Sequence, residues 1–157
     1  MRLPEGNARS FKTYIHWMYH SKISPEVFWE RDEVNEQQAY FFLYILGDQI
    51  DDKDLRTHVL NTCISKSVDD WQYMPTPQAC ERVWDKTPKG SRLRTFVLEW
   101  IVASSSKVIY AGYVEKFPKE FLEEIFMLLL GHEETGRLED AQEFADRIRA
   151  KLLPERS

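Results

Sequence analysis

The chain has 157 residues, enough for one domain with its own core, and its 43% hydrophobic and 30% charged residues are globular rather than disordered composition. A formal net charge of −5 argues against a general nucleic-acid binder, whose affinity comes from neutralising phosphates. No segment approaches the roughly 18 apolar residues that a bilayer-spanning helix needs.

The first helix is expected to begin with Ser10 as N-cap, with Phe11, Tyr14, Ile15 and Met18 forming one apolar stripe toward a core. Ser24-Pro25 interrupts it, and Val27, Phe28 and Trp29 make a short apolar turn. A second helix is predicted over 36–49, burying Ala39, Phe42, Leu43, Leu46 and Ile50. Asp51 and Asp52 cap a third, and with Asp54 they place negative charge at its positive dipole end. Leu55, Val59, Thr62 and Cys63 turn that helix inward, and Trp71, Tyr73 and Met74 fall in a loop. Thr76-Pro77 is a cap followed by proline at the first helical position, opening a helix that buries Cys80, Val83 and Trp84.

Thr87-Pro88 stops that helix, Gly90 turns the chain, and Ser91 caps a fifth helix lined by Leu93, Phe96, Val97, Trp100 and Ile101. Residues 107–113 read as a short strand or an extended turn. Phe117-Pro118 opens a sixth helix, apolar at Phe121, Leu122, Ile125, Phe126 and Leu129 and closed by Gly131. A last helix, from about Leu138, turns Ala141, Phe144, Ala145, Ile148 and Leu152 inward. The pattern is an all-α bundle of about six to seven helices. It divides into segments 1–70 and 71–157, packed together as one unit.

Candidate chemistry is sparse. His16 and His20 share a helix face at i, i+4, a spacing that can hold zinc, but Trp17 stands where a zincin has its catalytic Glu, and no third ligand is evident. Asp48, Asp51, Asp52 and Asp54 resemble a calcium loop, yet counting from Asp48, Lys53 replaces its glycine and Val59 its glutamate. Helix capping accounts for these acids. Cys63 and Cys80 sit in apolar helical contexts without a nucleophile motif, which fits buried thiols in a reducing compartment, cytoplasmic and/or nuclear. The chain is therefore expected to be no enzyme, with neither metal nor cofactor.

Lys86, Lys89, Arg92 and Arg94 surround a helix start, where free N–H groups and basic side chains can receive an anion or an acidic partner. The bland alternative is a solvated helix end. Charge is asymmetric along the chain. Arg2, Arg9, Lys12 and Lys22 face Glu5 alone in residues 1–23, giving +3, while residues 115–157 carry eleven acids and seven bases, giving −4.

Three stretches resemble one family. Phe11-x-x-Tyr14-x-x-Trp17-Met18-Tyr19 followed by Lys22-Ile23 is similar to the third-helix region of fungal BTB/POZ proteins. Leu43-Tyr44-Ile45-Leu46-Gly47-Asp48-Gln49-Ile50, with Asp54-Leu55 and Val59, resembles the next two helices of that domain. Residues 87–94 and Phe117-Pro118-Lys119-Glu120-Phe121 resemble the BACK-like helical extension after it. The turn reads Tyr19-His20-Ser21 where the family has Tyr-Thr-Gly, and the family's N-terminal strands and central dimer interface have no counterpart.

The resemblance implies late BTB helices followed by a helical extension, and a protein–protein interaction module of scaffold or substrate-adaptor type. It also implies that the first helix has lost family neighbours and exposes apolar surface, favouring a protein partner or self-association. Trp17, Trp29, Trp71 and Tyr73 are the expected hot spots, with core packing as the competing explanation for each. The other functions kept open are an enzyme of unrecognised type using Cys63 or the histidine pair, and a nucleic-acid-associated regulator using the basic cluster over 86–94.

Overall fold

The structure is a computed structural model describing residues 7–24, 36–69, 71, 74–103, 112, 114–131 and 140–153. The expected elements at 27–29 and 107–113 lie outside those residues, Gly112 excepted. Among the described residues the chain is all-α: seven α-helices, one 3-10 turn at Val114–Lys116, and no strand. It separates into two compact units, Met1–Cys63 and Ile64–Ser157. The division falls inside the third helix rather than in the loop after it.

In the first unit, α1 (Asn7–His20) packs along α2 (Glu36–Gln49). The helix starts three residues before the expected cap, so Ser10 is interior to it. Among its described side chains the fully buried ones are Ser10 and Thr13, not the apolar stripe. Small side chains permit a close helix contact, and the Thr13 hydroxyl is satisfied by donating to the Arg9 carbonyl at 3.0 Å. Phe11 and Tyr14 are half-buried, whereas Ile15, Met18 and Tyr19 face solvent. Ser21 ends the helix in the left-handed region, φ 51°, with its N–H donating to the Trp17 carbonyl at 2.7 Å.

α2 is buried around almost its whole circumference, from Ala39, Tyr40 and Phe41 to Ile45 and Leu46, as befits a helix apolar on all sides. Phe42 and Ile50, expected inside, are half-buried. The turn into α3 (Lys53–Asp69) explains the local acids. Asp52 accepts from the Leu55 N–H at 2.9 Å as N-cap, and Arg56 bridges Asp48 at 2.8 Å and Asp51 at 3.3 Å. Glycine at 47 leaves room for this turn: a Cβ there would sit 3.0 Å from Arg56 Cγ and 3.3 Å from Leu55 Cδ2, so those side chains would have to shift by a few tenths of an ångström. Leu55, Val59, Leu60, Cys63 and Ile64 are fully buried along α3.

The second unit is organised on α5 (Arg92–Ala103), which packs against α4 (Pro77–Lys86), α6 (Lys119–Gly131) and α7 (Ala141–Leu152). Thr76 caps α4 as expected, accepting from the Ala79 N–H at 3.2 Å, and Cys80, Val83 and Trp84 are its buried side. Gly90 adopts φ 86°, the left-handed conformation that glycine takes without strain. The Ser91 hydroxyl makes no capping bond; the residue contributes its carbonyl, which accepts from the Thr95 N–H at 3.1 Å.

α7 starts later than expected, at Ala141, because Asp140 and Glu143 form a reciprocal capping box. Ala141 is consequently exposed, while Phe144, Ala145, Ile148 and Leu152 pack inward. The largest departure is α6. Of its expected core residues only Phe121 is buried; Leu122 and Ile125 are half-buried, and Phe126 and Leu129 face solvent.

Candidate interaction surfaces

The second unit contains two charged side chains where its core should be apolar. Arg94 occupies the inward side of α5, its side chain only 4% exposed. Its guanidinium uses every edge. Nε donates to Thr87 Oγ1 at 3.1 Å, and Nη2 donates to the carbonyls of Trp84, at 2.7 Å, and Thr87. Nη1 donates to Glu120 at 2.9 Å and Glu124 at 3.0 Å on α6. The cation also lies 5.3 Å from the centre of the Trp84 ring, whose indole N–H donates to Glu124 at 3.2 Å. One residue thus ties the C-terminus of α4 and the first turns of α6 to α5.

Glu99, 2% exposed on the same helix, accepts from Arg147 at 2.9 Å and from Lys151, both on α7. Burial pushes its carboxyl pKa upward, but the two cations outweigh that and hold it below the usual carboxylate range.

Beside these two residues runs a cleft of about 670 Å³. Leu98, Met127 and Leu128 give it an apolar wall, Glu123 and Glu124 an acidic edge, and Lys89 lies on its rim. The cleft continues into the outer side of α6. There Phe126, Met127 and Leu130 are 60%, 67% and 66% exposed, with Leu129 also exposed beside them. Phe126, Met127 and Leu130 follow Glu123 at i+3, i+4 and i+7, so the four form one continuous stripe. Contiguous exposed apolar side chains of this size are the usual mark of a contact surface. The signal was present in the sequence. Apolar residues at 121, 122 and 125–130 cover all sides of a helix, and a helix at the edge of a bundle cannot bury them all.

A second exposed apolar face lies on α1, where Met18 and Tyr19 are 52% and 80% exposed next to Ile15. Ile15 and Met18 were expected in the core-facing stripe, whereas Tyr14 and Trp17, aromatic residues of the same helix, are half-buried. Tyr14, one turn before Met18, faces Asp52 instead; burial first, then the charge and hydrogen bond of Asp52, push its phenol above the usual range.

The expected hot spots fare unevenly. Trp17 is half-buried, its ring 6.1 Å from Tyr14 and 6.4 Å from His58. Trp71 is half-buried with its ring 5.7 Å from Trp100, so much of it serves internal packing. Trp29 and Tyr73 lie outside the described residues.

The basic cluster does not assemble into one anion site. Lys86 and Lys89 are exposed, Lys86 beside Asp85 at 3.4 Å. Arg92 donates to the Leu152 carbonyl at 3.2 Å, and Arg94 is the buried hub already saturated by acceptors.

The remaining candidates are structural in setting. The His16 and His20 rings stack at 4.2 Å, with His20 Nδ1 3.0 Å from the His16 carbonyl oxygen, and no group of three or more metal-ligating side chains occurs among the described residues. Cys63 and Cys80 form no disulfide and are buried; burial pushes the Cys80 thiol far above its usual range, opposite to what a nucleophile needs. His58, five residues before Cys63 on α3, is exposed. No helix among the described residues is long and apolar enough to cross a membrane.

No family model, curated protein or solved structure matches the chain.

Proposed function

We propose that the chain is a non-enzymatic protein–protein interaction module, of the scaffold or adaptor type that the BTB/POZ resemblance implies. The observation that carries this reading is the outer side of α6, where Phe126, Met127 and Leu130 stand in solvent beside an apolar-walled cleft. Exposing those side chains forgoes burial worth about 1.5–3 kcal/mol each, a cost that a partner recovers on binding. The polar hub supports the reading from beneath. Arg94 fixes α6 through Glu120 and Glu124, which lie just before Phe126 on the same helix, so the surface is held in shape before a partner arrives. The deeply buried thiols and the saturated acceptors around Arg94 support structural rather than chemical roles for these groups.

The test is an apolar fluorescent dye added to the folded protein and to the double variant Phe126→Asp/Leu130→Asp. The expected result is dye binding by the native chain that falls at least several-fold in the variant, with helix content and melting temperature unchanged or raised. A variant that melts well below the native chain would assign those side chains to the core and defeat the proposal.

A further inference from the structure

The two exposed apolar faces, on α1 and α6, match one another. On α1, Lys12, Ile15 and Tyr19 are exposed and follow one another at intervals of three and four residues. On α6, Glu123, Phe126 and Leu130 are exposed at the same two intervals. At 1.5 Å of rise per residue both triplets span steps of about 4.5 Å and about 6 Å along one helix face. Laid side by side and parallel, they set Lys12 against Glu123, Ile15 against Phe126 and Tyr19 against Leu130. Met18 and Met127 flank the contact, and flexible thioethers fill irregular gaps well. An antiparallel arrangement would instead set Lys12 against Leu130 and leave Glu123 facing Tyr19.

The surrounding charge favours the same pairing. α1 contains no acidic residue and carries Arg9 and Lys12, within a segment, residues 1–23, of charge +3. α6 carries Glu120, Glu123 and Glu124, within a segment, residues 115–157, of charge −4. Glu123 has an ion pair with Lys119, 3.6 Å away on its own helix, but both groups are more than half exposed. An exposed pair of this kind is worth little and exchanges readily for a partner that brings apolar surface with it.

We infer that the occupant of the α6 face is a second copy of this chain, presenting α1 in parallel register with Lys12 beside Glu123. The inference rests on the interaction-module reading and names its partner. Because the two surfaces differ, the contact is heterologous. One copy then keeps an unused α1 face and the other an unused α6 face, so association continues beyond the dimer unless a ring closes. A single helix–helix contact is smaller than a standard interface, so association should develop between about 10 μM and about 1 mM.

The experiment uses the full chain, with light scattering and sedimentation over that range. The native protein should show a mass rising past the dimer with concentration. Ile15→Asp/Tyr19→Asp spoils the α1 face, and Phe126→Asp/Leu130→Asp spoils the α6 face. Each variant alone should remain monomeric, while an equimolar mixture should form a dimer and stop there, since each contributes its one intact surface. Lys12→Glu and Glu123→Lys should each weaken association at least several-fold, and the two together should restore it.

Self-association retained by the α1 variant alone would overturn the heterologous contact in favour of a symmetric α6 pair. A native chain that stays monomeric but still binds the apolar dye through α6 would overturn the second-copy inference and leave the interaction-module reading standing. A monomer that binds no dye would overturn both.

Discussion

Replacing Arg94 is the most informative perturbation of the second unit. In Arg94→Ala the carbonyls of Trp84 and Thr87 lose their buried side-chain donor. Each stranded acceptor costs about 1 kcal/mol at the low end of the usual range. The two carboxylates behave differently. Glu120 is 49% exposed and turns to solvent at almost no cost, whereas Glu124 is 16% exposed and remains a poorly compensated charge, worth about 1 kcal/mol more.

The total is a loss of about 3 kcal/mol before any loss of packing by the side-chain stem. In urea, with a slope of about 2 kcal/mol/M, the midpoint falls by about 1.5 M at unchanged slope. Arg94→Lys keeps the charge but cannot reach acceptors on three sides with one ammonium, and should lose about half as much. Adding Glu124→Gln to Arg94→Ala removes the stranded charge and should recover about 1 kcal/mol. Urea unfolding followed by tryptophan fluorescence and circular dichroism measures all three. A loss below about 1 kcal/mol in Arg94→Ala, or equal losses in the Ala and Lys variants, would refute the account of Arg94 as a geometric hub.

Glu99 makes the stability of the same unit depend on pH. Its carboxyl is held below its ordinary value in the folded state, so its contribution is complete above about pH 4.5 and disappears as pH falls through the folded value. Glu99→Gln should therefore be destabilised by about 1–2 kcal/mol at neutral pH, with the gap to the native chain closing under acid conditions. A gap that widens below pH 4 in paired denaturation curves would reverse the sign of the argument. Both buried thiols should resist a disulfide reagent at about pH 8 in native buffer and react only in denaturant, because burial keeps the reagent from each of them and, at Cys80, also pushes the pKa far up and leaves almost no thiolate. Rapid modification of Cys80 in the native state would mean that it is neither buried nor structural.

Local rules carried well from sequence to structure, and rules about partners did not. Thr76-Pro77, Asp52 and the limits of α2 were legible because a cap depends on the few residues beside it. The inward side of α4 was equally legible, since Cys80, Val83 and Trp84 stand out from polar neighbours. Rotation about the helix axis was misread twice, for opposite reasons. α1 buries Ser10 and Thr13 because small side chains permit close packing, a preference that an apolar count ranks last. α6 is apolar at every position from 125 to 130, so the periodicity of that half contains no information about which side faces in. The role of Arg94 was hidden because its acceptors at Glu120 and Glu124 lie 26 and 30 residues away. From sequence alone it is one more base near a helix start.

These misreadings share a cause that bears on function. Charge has gone inside, at Arg94 and Glu99, while apolar side chains have gone outside, at Phe126, Met127 and Leu130. For stability alone the exchange is unfavourable on both sides, since buried ions must recover their lost hydration and exposed hydrophobes forgo burial. What the buried ions supply is direction. A guanidinium with acceptors on three sides accepts one placement of α6, whereas a greasy contact would tolerate sliding and rotation of that helix. On the proposed reading of this face as a contact surface, a partner need not first immobilise the platform to which it binds. Glu120 and Glu124 anchor the N-terminal half of the helix that carries Phe126, Met127 and Leu130, so loosening Arg94 should blur the surface before it unfolds the unit.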